Sequence, residues 1–125
     1  VTRAQYHEQD SGNSTDLDFI LDTGNQSNTQ IWRRFGAEFA YLLKKHGMPS
    51  RERITTVGGS NVRETVRLPE LLLQVGGLET RLRPARIYAK PIGDETHHGL
   101  LGMDVLSQAR EVRIDLSRMR LDLFP

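Results

Sequence analysis

The chain has 125 residues, 37% of them hydrophobic and 26% charged, with 17 basic against 16 acidic side chains and no cysteine. That length suits one domain, 1–125, with a modest core, and the balanced charge offers no field for nucleic acid or an anionic membrane. The missing cysteine excludes disulfides and thiolate metal sites, and no apolar run approaches the roughly 20 residues of a membrane segment.

No signal peptide is visible at Val1, and the chain opens without an initiator methionine, as an excised piece does, so the compartment is left open. Residues 1–9 read as a weak strand, followed by the turn-forming cluster "DSGNST". Residues 16–22, "DLDFILD", carry the apolar run Phe19-Ile20-Leu21, short enough for a buried strand, so the two strands make a hairpin. Trp32, Phe35, Phe39, Leu42 and Leu43 recur at helical spacing. Lys44, Lys45 and His46 suit the last turn of that helix, Gly47 its left-handed cap, and Pro49 blocks continuation. From residue 51 the period changes to two. "RERITTV" and "NVRETVRL" flank Gly58-Gly59-Ser60 as a β-hairpin with a glycine tip. "ELLLQV", Gly76-Gly77 and "LETRLRPARIYA" predict strand, turn and long strand, with Pro84 forcing a bulge or an edge. "HGLLGMDVLSQA" holds an apolar strand, Gly102 and a short helix from about Asp104, which can cap it. Val112, Ile114 and Leu116, then Met119, Leu121 and Leu123, alternate around Ser117-Arg118 as a terminal hairpin. The sum is mostly β with two helices, at a strand spacing that suits a small barrel or sandwich.

Two triplets invite a chemical reading. A carboxylate that activates water needs a rigid seat and a tuned pKa. A buried strand that ends in a sharp turn supplies both, with Thr or Ser to lock the loop and Gly to admit close backbone approach. Asp22-Thr23-Gly24 follows an apolar run and leads into the polar "NQSN". Asp10-Ser11-Gly12 sits in a wholly polar setting and reads as a solvated turn. By itself Asp22-Thr23-Gly24 can also be a turn. A second signal far down the chain, "HHGLLGMDVLSQAREVRIDLSRMRLDLF", adds an apolar-apolar-Gly segment, a short helix and a hairpin.

With both signals the chain resembles the retropepsin-like aspartic proteases, as a single-domain bacterial or cellular member. The corresponding parts are Phe19–Gly24, the flap at Ile54–Val62, and Leu100–Leu106, with Arg33–His46 resembling the helix found after the triplet. The resemblance covers residues 16–124. It implies an acid-protease closed barrel with a helix after the active-site loop and a short C-terminal helix. It also implies an aspartic endopeptidase with Asp22, Thr23 and Gly24 as the catalytic loop. Asn25, Val57, Gly58, Gly59 and Leu101 are then placed toward a peptide or protein substrate, with no metal or other cofactor. Two departures stand out. Asn25 occupies a position where the family usually has Ala or Ser, and the flap tip carries two glycines and no aromatic.

Such chemistry uses two aspartates that share one proton, and the chain offers one credible aspartate. The resemblance therefore implies a homodimer, with Asp22 of each copy on a two-fold axis and Thr23 of each bracing the other loop. Two other readings compete: a catalytically inactive peptide-binding module, for which Asn25 speaks, and an unrelated small barrel in which the triplet is only a turn.

The other candidates have plainer expectations. His97-His98 point to opposite faces of a strand and read as solvated rather than as a metal pair. Asp104 caps the helix or bonds near the loop, and Asp115 is solvent-exposed. Gly58-Gly59 lacks the strand–helix context of a phosphate loop. Trp32 and Phe35 are core, and Arg81, Arg83 and Arg86 lie on a solvated strand face offset by nearby acids.

Overall fold

The computed structural model describes residues 2–8, 12–21, 28–56, 58–90 and 96–125, for 54–56 the backbone alone. Alternating polarity sets the first strands: β1 (Thr2–His7) buries Ala4 and Tyr6, and β2 (Ser14–Leu21) buries Leu17 and Phe19. They pair antiparallel, from Thr2 opposite Phe19 to His7 opposite Ser14. The Glu8 amide donates to the Asn13 carbonyl and the Gly12 amide to the Glu8 carbonyl, with Gly12 exposed at φ 72°, while Asp10 and Ser11 of the expected solvated turn lie outside the described residues.

After β3 (Gln30–Ile31) the helical stripe folds as two short helices, α1 (Arg33–Glu38) and α2 (Ala40–His46), rather than one. The break is at Phe39, φ −119° and ψ 39°. It turns the Phe39 ring into an aromatic cluster: Tyr6 lies 5.5 Å from Phe35 and 5.1 Å from Phe39, both edge-on, with Phe35 and Phe39 4.7 Å apart. Such pairs add about 0.5–1.5 kcal/mol each beyond area burial. Gly47 corrects a second expectation. It is extended (φ −78°, ψ 146°), not left-handed. A Cβ there would collide with the Leu43 carbonyl and with Val66, so glycine is required by close approach instead.

β4 (Met48–Thr56) and β5 (Gly59–Leu68) form a long hairpin paired from Met48–Arg67 to Thr56–Gly59. β6 (Leu71–Val75) and β7 (Leu78–Leu82) form the next, around Gly76-Gly77. The long strand expected after them breaks at Arg83-Pro84. β8 (Ala85–Tyr88) leaves β7 and joins β5 and β3 instead. β9 (Gly99–Leu101), α3 (Met103–Leu106), β10 (Glu111–Asp115) and β11 (Arg120–Phe124) complete the order.

Among the described residues nine strands make one curled, half-barrel sheet, in the order β4-β5-β8-β3-β9-β2-β1-β6-β7. The fold is mostly β, as expected. Its core gathers Leu17, Phe19, Ile31, Phe35, Leu73, Ile87 and Leu101. β10 and β11 form a separate two-stranded sheet that is anchored by the Leu123 amide on the Gly76 carbonyl at 2.9 Å. No helix among the described residues is long and apolar enough to cross a membrane.

Candidate active site

β2 runs parallel to β9, with Phe19, Ile20 and Leu21 beside Gly99, Leu100 and Leu101. On its other side β9 meets β3, with Gln30 opposite Leu100 and Ile31 opposite Gly99. Strand β9 thus lies between the strand that enters the "DTGNQS" loop and the strand that leaves it. The approach is so close that a Cβ on Gly99 would overlap the Gln30 carbonyl, and Gly99 sits at φ 158°.

The loop residues themselves, Asp22, Thr23, Gly24 and Asn25, lie outside the described residues, as does Val57. Leu21 pairs with Leu101. On the exit side, the Thr29 hydroxyl accepts from the Gly102 amide at 2.9 Å and donates to Asp104 Oδ1 at 2.6 Å. The Thr29 amide donates to both Asp104 carboxylate oxygens, at 2.9 and 3.0 Å. Asp104 also accepts the Val105 amide at 2.9 Å. Both ends of the loop are therefore fastened to one segment, Leu101–Asp104. Asp104 takes the second of the two roles open to it. Gly102 holds the helix N-cap position, without a side-chain cap, and Asp104 clamps the loop exit from the first turn.

Leu101 is fully buried and belongs to the core under the loop. Gly58 and Gly59 are exposed at the turn of the β4–β5 hairpin, with open space around both, Gly59 at φ 126°. Trp32 and Phe35 are buried core residues, as expected. Arg81, Arg83 and Arg86 face Glu79, Glu70 and Glu52 respectively, which fits the expected offset of charge.

His98 overturns its expectation. It is 2% exposed, not a solvated strand residue. Its backbone amide donates to the Asp18 carbonyl at 2.7 Å, and its Nδ1 accepts the Asp18 amide at 3.0 Å. Nδ1 is thus the acceptor, which assigns the proton to Nε2, 2.9 Å from Glu38 Oε2. Burial pushes the Glu38 carboxyl up, but the hydrogen bonds from His98 and Arg34 and the Arg34 charge together outweigh it and hold it below its ordinary range. The network links β2, β9 and α1 four residues before Asp22. Its signal in the sequence was the apolar stretch directly after His98. Neither His97 nor His98 joins a metal-binding cluster among the described residues.

A family model of aspartyl proteases matches residues 11–105. The chain belongs to the aspartyl protease family. No individual curated protein matches it. The matched span opens ahead of β2 and closes within α3, so it takes in the loop, both fastenings, the two helices and the β4–β5 hairpin.

Proposed function

We propose that this aspartyl protease is an endopeptidase that hydrolyses peptide bonds with two Asp22 carboxylates, one from each copy of a homodimer. The observation that carries the reading is the fastening of both flanks of the Asp22 loop to Leu101–Asp104, within the span of the family match. A carboxylate that exchanges protons without moving needs such a seat.

Two carboxylates in contact do not both ionise readily, so the pair shares one proton and titrates as a unit. The ionised member draws a proton from a bridging water, which attacks the scissile carbonyl. The protonated member hydrogen-bonds to the carbonyl oxygen and stabilises the charge that develops there. No covalent intermediate forms. The β4–β5 hairpin acts as the flap, with Val57, Gly58 and Gly59 over the peptide, Thr23 braces the partner loop, and Asn25 borders the groove.

The terminal hairpin supports a second copy. One face of its strands carries Val112, Ile114, Leu121 and Leu123, and Leu116 and Met119 lie in the turn that joins them. Leu123 is buried against the core, whereas Leu116 is 78% and Met119 72% exposed. Met119 and Leu121 border a small cleft with Thr2, and Thr2 pairs with Phe19 near the end of β2. The apolar tip therefore lies toward the end of β2 from which the chain enters the Asp22 loop, which supports a second copy docking there.

Cleavage of a quenched fluorescent peptide mixture tests the reading. Activity that is lost in Asp22→Asn and blocked by a statine-type hydroxyl inhibitor is the expected result. Undiminished cleavage by the variant overturns it.

A further inference from the structure

His98 stands where β9 begins, and its backbone joins the two sides of the Asp22 loop. Its amide donates to the Asp18 carbonyl of β2 at 2.7 Å, and its carbonyl accepts the Trp32 amide, just past β3, at 2.8 Å. The ring adds a third tie. Nδ1 accepts the Asp18 amide at 3.0 Å, so both backbone groups of Asp18 end on one residue. The Asp18 carboxylate faces Arg3 instead, at 3.6 Å.

The amide of a strand residue is ordinarily met by the backbone of the neighbouring strand. Among the described residues the β2–β9 pairing begins with Phe19 opposite Gly99, beyond Asp18. The imidazole stands in for a strand at that point. A ring nitrogen accepts only while it carries no proton, and α1 makes that choice. Glu38 Oε2 lies 2.9 Å from Nε2 and draws the proton there, while Glu38 Oε1 accepts from Arg34 Nε at 3.0 Å. Arg34 also donates to the Thr96 carbonyl, so α1 grips the segment ahead of β9 by its backbone as well as by the His98 ring. His98 is buried, so water is not at hand to replace the ring. Without Nδ1 the Asp18 amide becomes an unmet donor inside the sheet, and β2 has to shift to satisfy it. That strand ends at Leu21, and Asp22 follows directly.

We propose that His98 is a positioning residue for Asp22: its Nδ1, kept free of a proton by Glu38, fixes β2 at Asp18 and so fixes where the carboxylate is presented. The inference rests on the endopeptidase reading of Asp22 and adds to it a residue that acts through the strand alone.

Two amides separate the two bonds of the ring. An Asn side chain places its oxygen near Nδ1, and a Gln side chain places its amide near Nε2. His98→Asn therefore keeps the acceptor for Asp18 and gives up Glu38, and His98→Gln does the reverse. Both are expected to melt below wild type, because each leaves a partner unmet and neither fills the volume of the ring. Kinetics on one peptide taken from the cleaved mixture split them. His98→Gln is expected to lose on the order of 10-fold in kcat, the scale of one unmet buried amide, with KM little changed. His98→Asn is expected to retain most of the wild-type kcat. Hydrogen exchange over residues 19–28, measured where both variants are fully folded, reads the same tie without catalysis. It is expected to quicken in His98→Gln and to stay close to wild type in His98→Asn. The nitrogen NMR shifts of the wild-type ring need no variant at all, and they are expected to show a protonated Nε2 and a bare Nδ1.

The opposite tautomer overturns the proposal outright. So does a kcat loss in His98→Asn as large as in His98→Gln, or a wild-type kcat in His98→Gln. If wild type cleaves nothing, the endopeptidase reading fails and exchange decides alone. A segment quickened in His98→Gln and not in His98→Asn then upholds the positioning, and equal exchange in the two variants overturns it.

Discussion

The hydroxyl of Thr29 stands between the Gly102 amide at 2.9 Å and the Asp104 carboxylate at 2.6 Å, joining segments more than seventy residues apart in sequence. This relay makes the exit of the Asp22 loop part of the same rigid unit as α3. Thr29→Val keeps the shape and removes the relay, leaving the Gly102 amide short of an acceptor. The expected loss is about 1–3 kcal/mol of stability, the scale for an unsatisfied buried partner. Peptide cleavage is expected to fall by more than the stability change explains, because the seat of Asp22 loosens. Thr29→Ser retains the hydroxyl and is expected to behave nearly as wild type. Thermal melts and kcat/KM for the two variants, side by side, check this; a Thr29→Val chain with wild-type kcat/KM would detach the relay from catalysis.

Glu38 sets an acid limit. Its folded pKa is depressed below the ordinary 4.5 by hydrogen bonds from His98 and Arg34 that overcome the opposing effect of burial. A depressed carboxylate contributes stability that is present above its unfolded pKa and is lost as pH falls through the folded one. The Glu38 side chain is 40% exposed, so solvent screening keeps the contribution under about 1 kcal/mol. Glu38→Gln is therefore expected to lower the melting temperature slightly at pH 7 and to make no difference once the wild-type carboxyl is protonated. The convergence of the two melting curves below pH 4 is the measurement. A gap that widens toward acid would reverse the sign of the linkage.

Local pattern was enough for much of this fold. The β1–β2, β4–β5, β6–β7 and β10–β11 hairpins each announce themselves by alternation around a turn cluster, and each pairs neighbours in sequence. The non-local features were harder to see. Nothing between residues 19 and 21 names residues 99–101 as their parallel neighbours, since that pairing depends on chain closure across the intervening elements. His98 looked solvated because its neighbour His97 is polar. Its burial follows from the β2–β9 pairing, which supplies the Asp18 amide and carbonyl. Thr29 carried no signal at all until Asp104 was brought to it. Asp22 itself stood out because an apolar strand delivers it, while its role is proposed from family membership and from the anchoring of its neighbours.

Gly99 tests that non-local geometry directly. It occupies the narrow contact with β3, where a methyl group would meet backbone rather than a yielding side chain. Gly99→Ala is expected to be among the most destabilising single methyl additions in the chain, at roughly 1–3 kcal/mol or more from overpacking. Gly77→Ala, which meets no atom but shares a positive φ of 86°, isolates the conformational share of the cost. Denaturant titration of both variants is the check. Equal losses would mean that the β3–β9 approach is looser than the backbone positions imply.

Dimerisation is expected to control activity, because each copy brings one Asp22. Specific activity should rise with protein concentration until the dimer saturates. Leu116→Asp combined with Met119→Asp, on the exposed tip of the terminal hairpin, should move that rise to higher concentration by at least about tenfold, while the melting temperature of the dilute chain changes little. Mixing gives the sharper measurement. Asp22→Asn chains are expected to pair as wild type does, so after subunit exchange a wild-type chain in excess mutant would sit mostly in mixed dimers. A mixed dimer has a single carboxylate, with no protonated partner to polarise the scissile carbonyl. Active dimers then fall as the square of the wild-type fraction. The readout is peptide cleavage against mutant fraction, at a fixed total protein below the weakened pairing range, with Leu116→Asp/Met119→Asp/Asp22→Asn chains as the non-pairing control. A linear decline would mean that each chain works alone, and a quadratic decline that is absent with the non-pairing control places both the second carboxylate and the surface that delivers it in the partner copy.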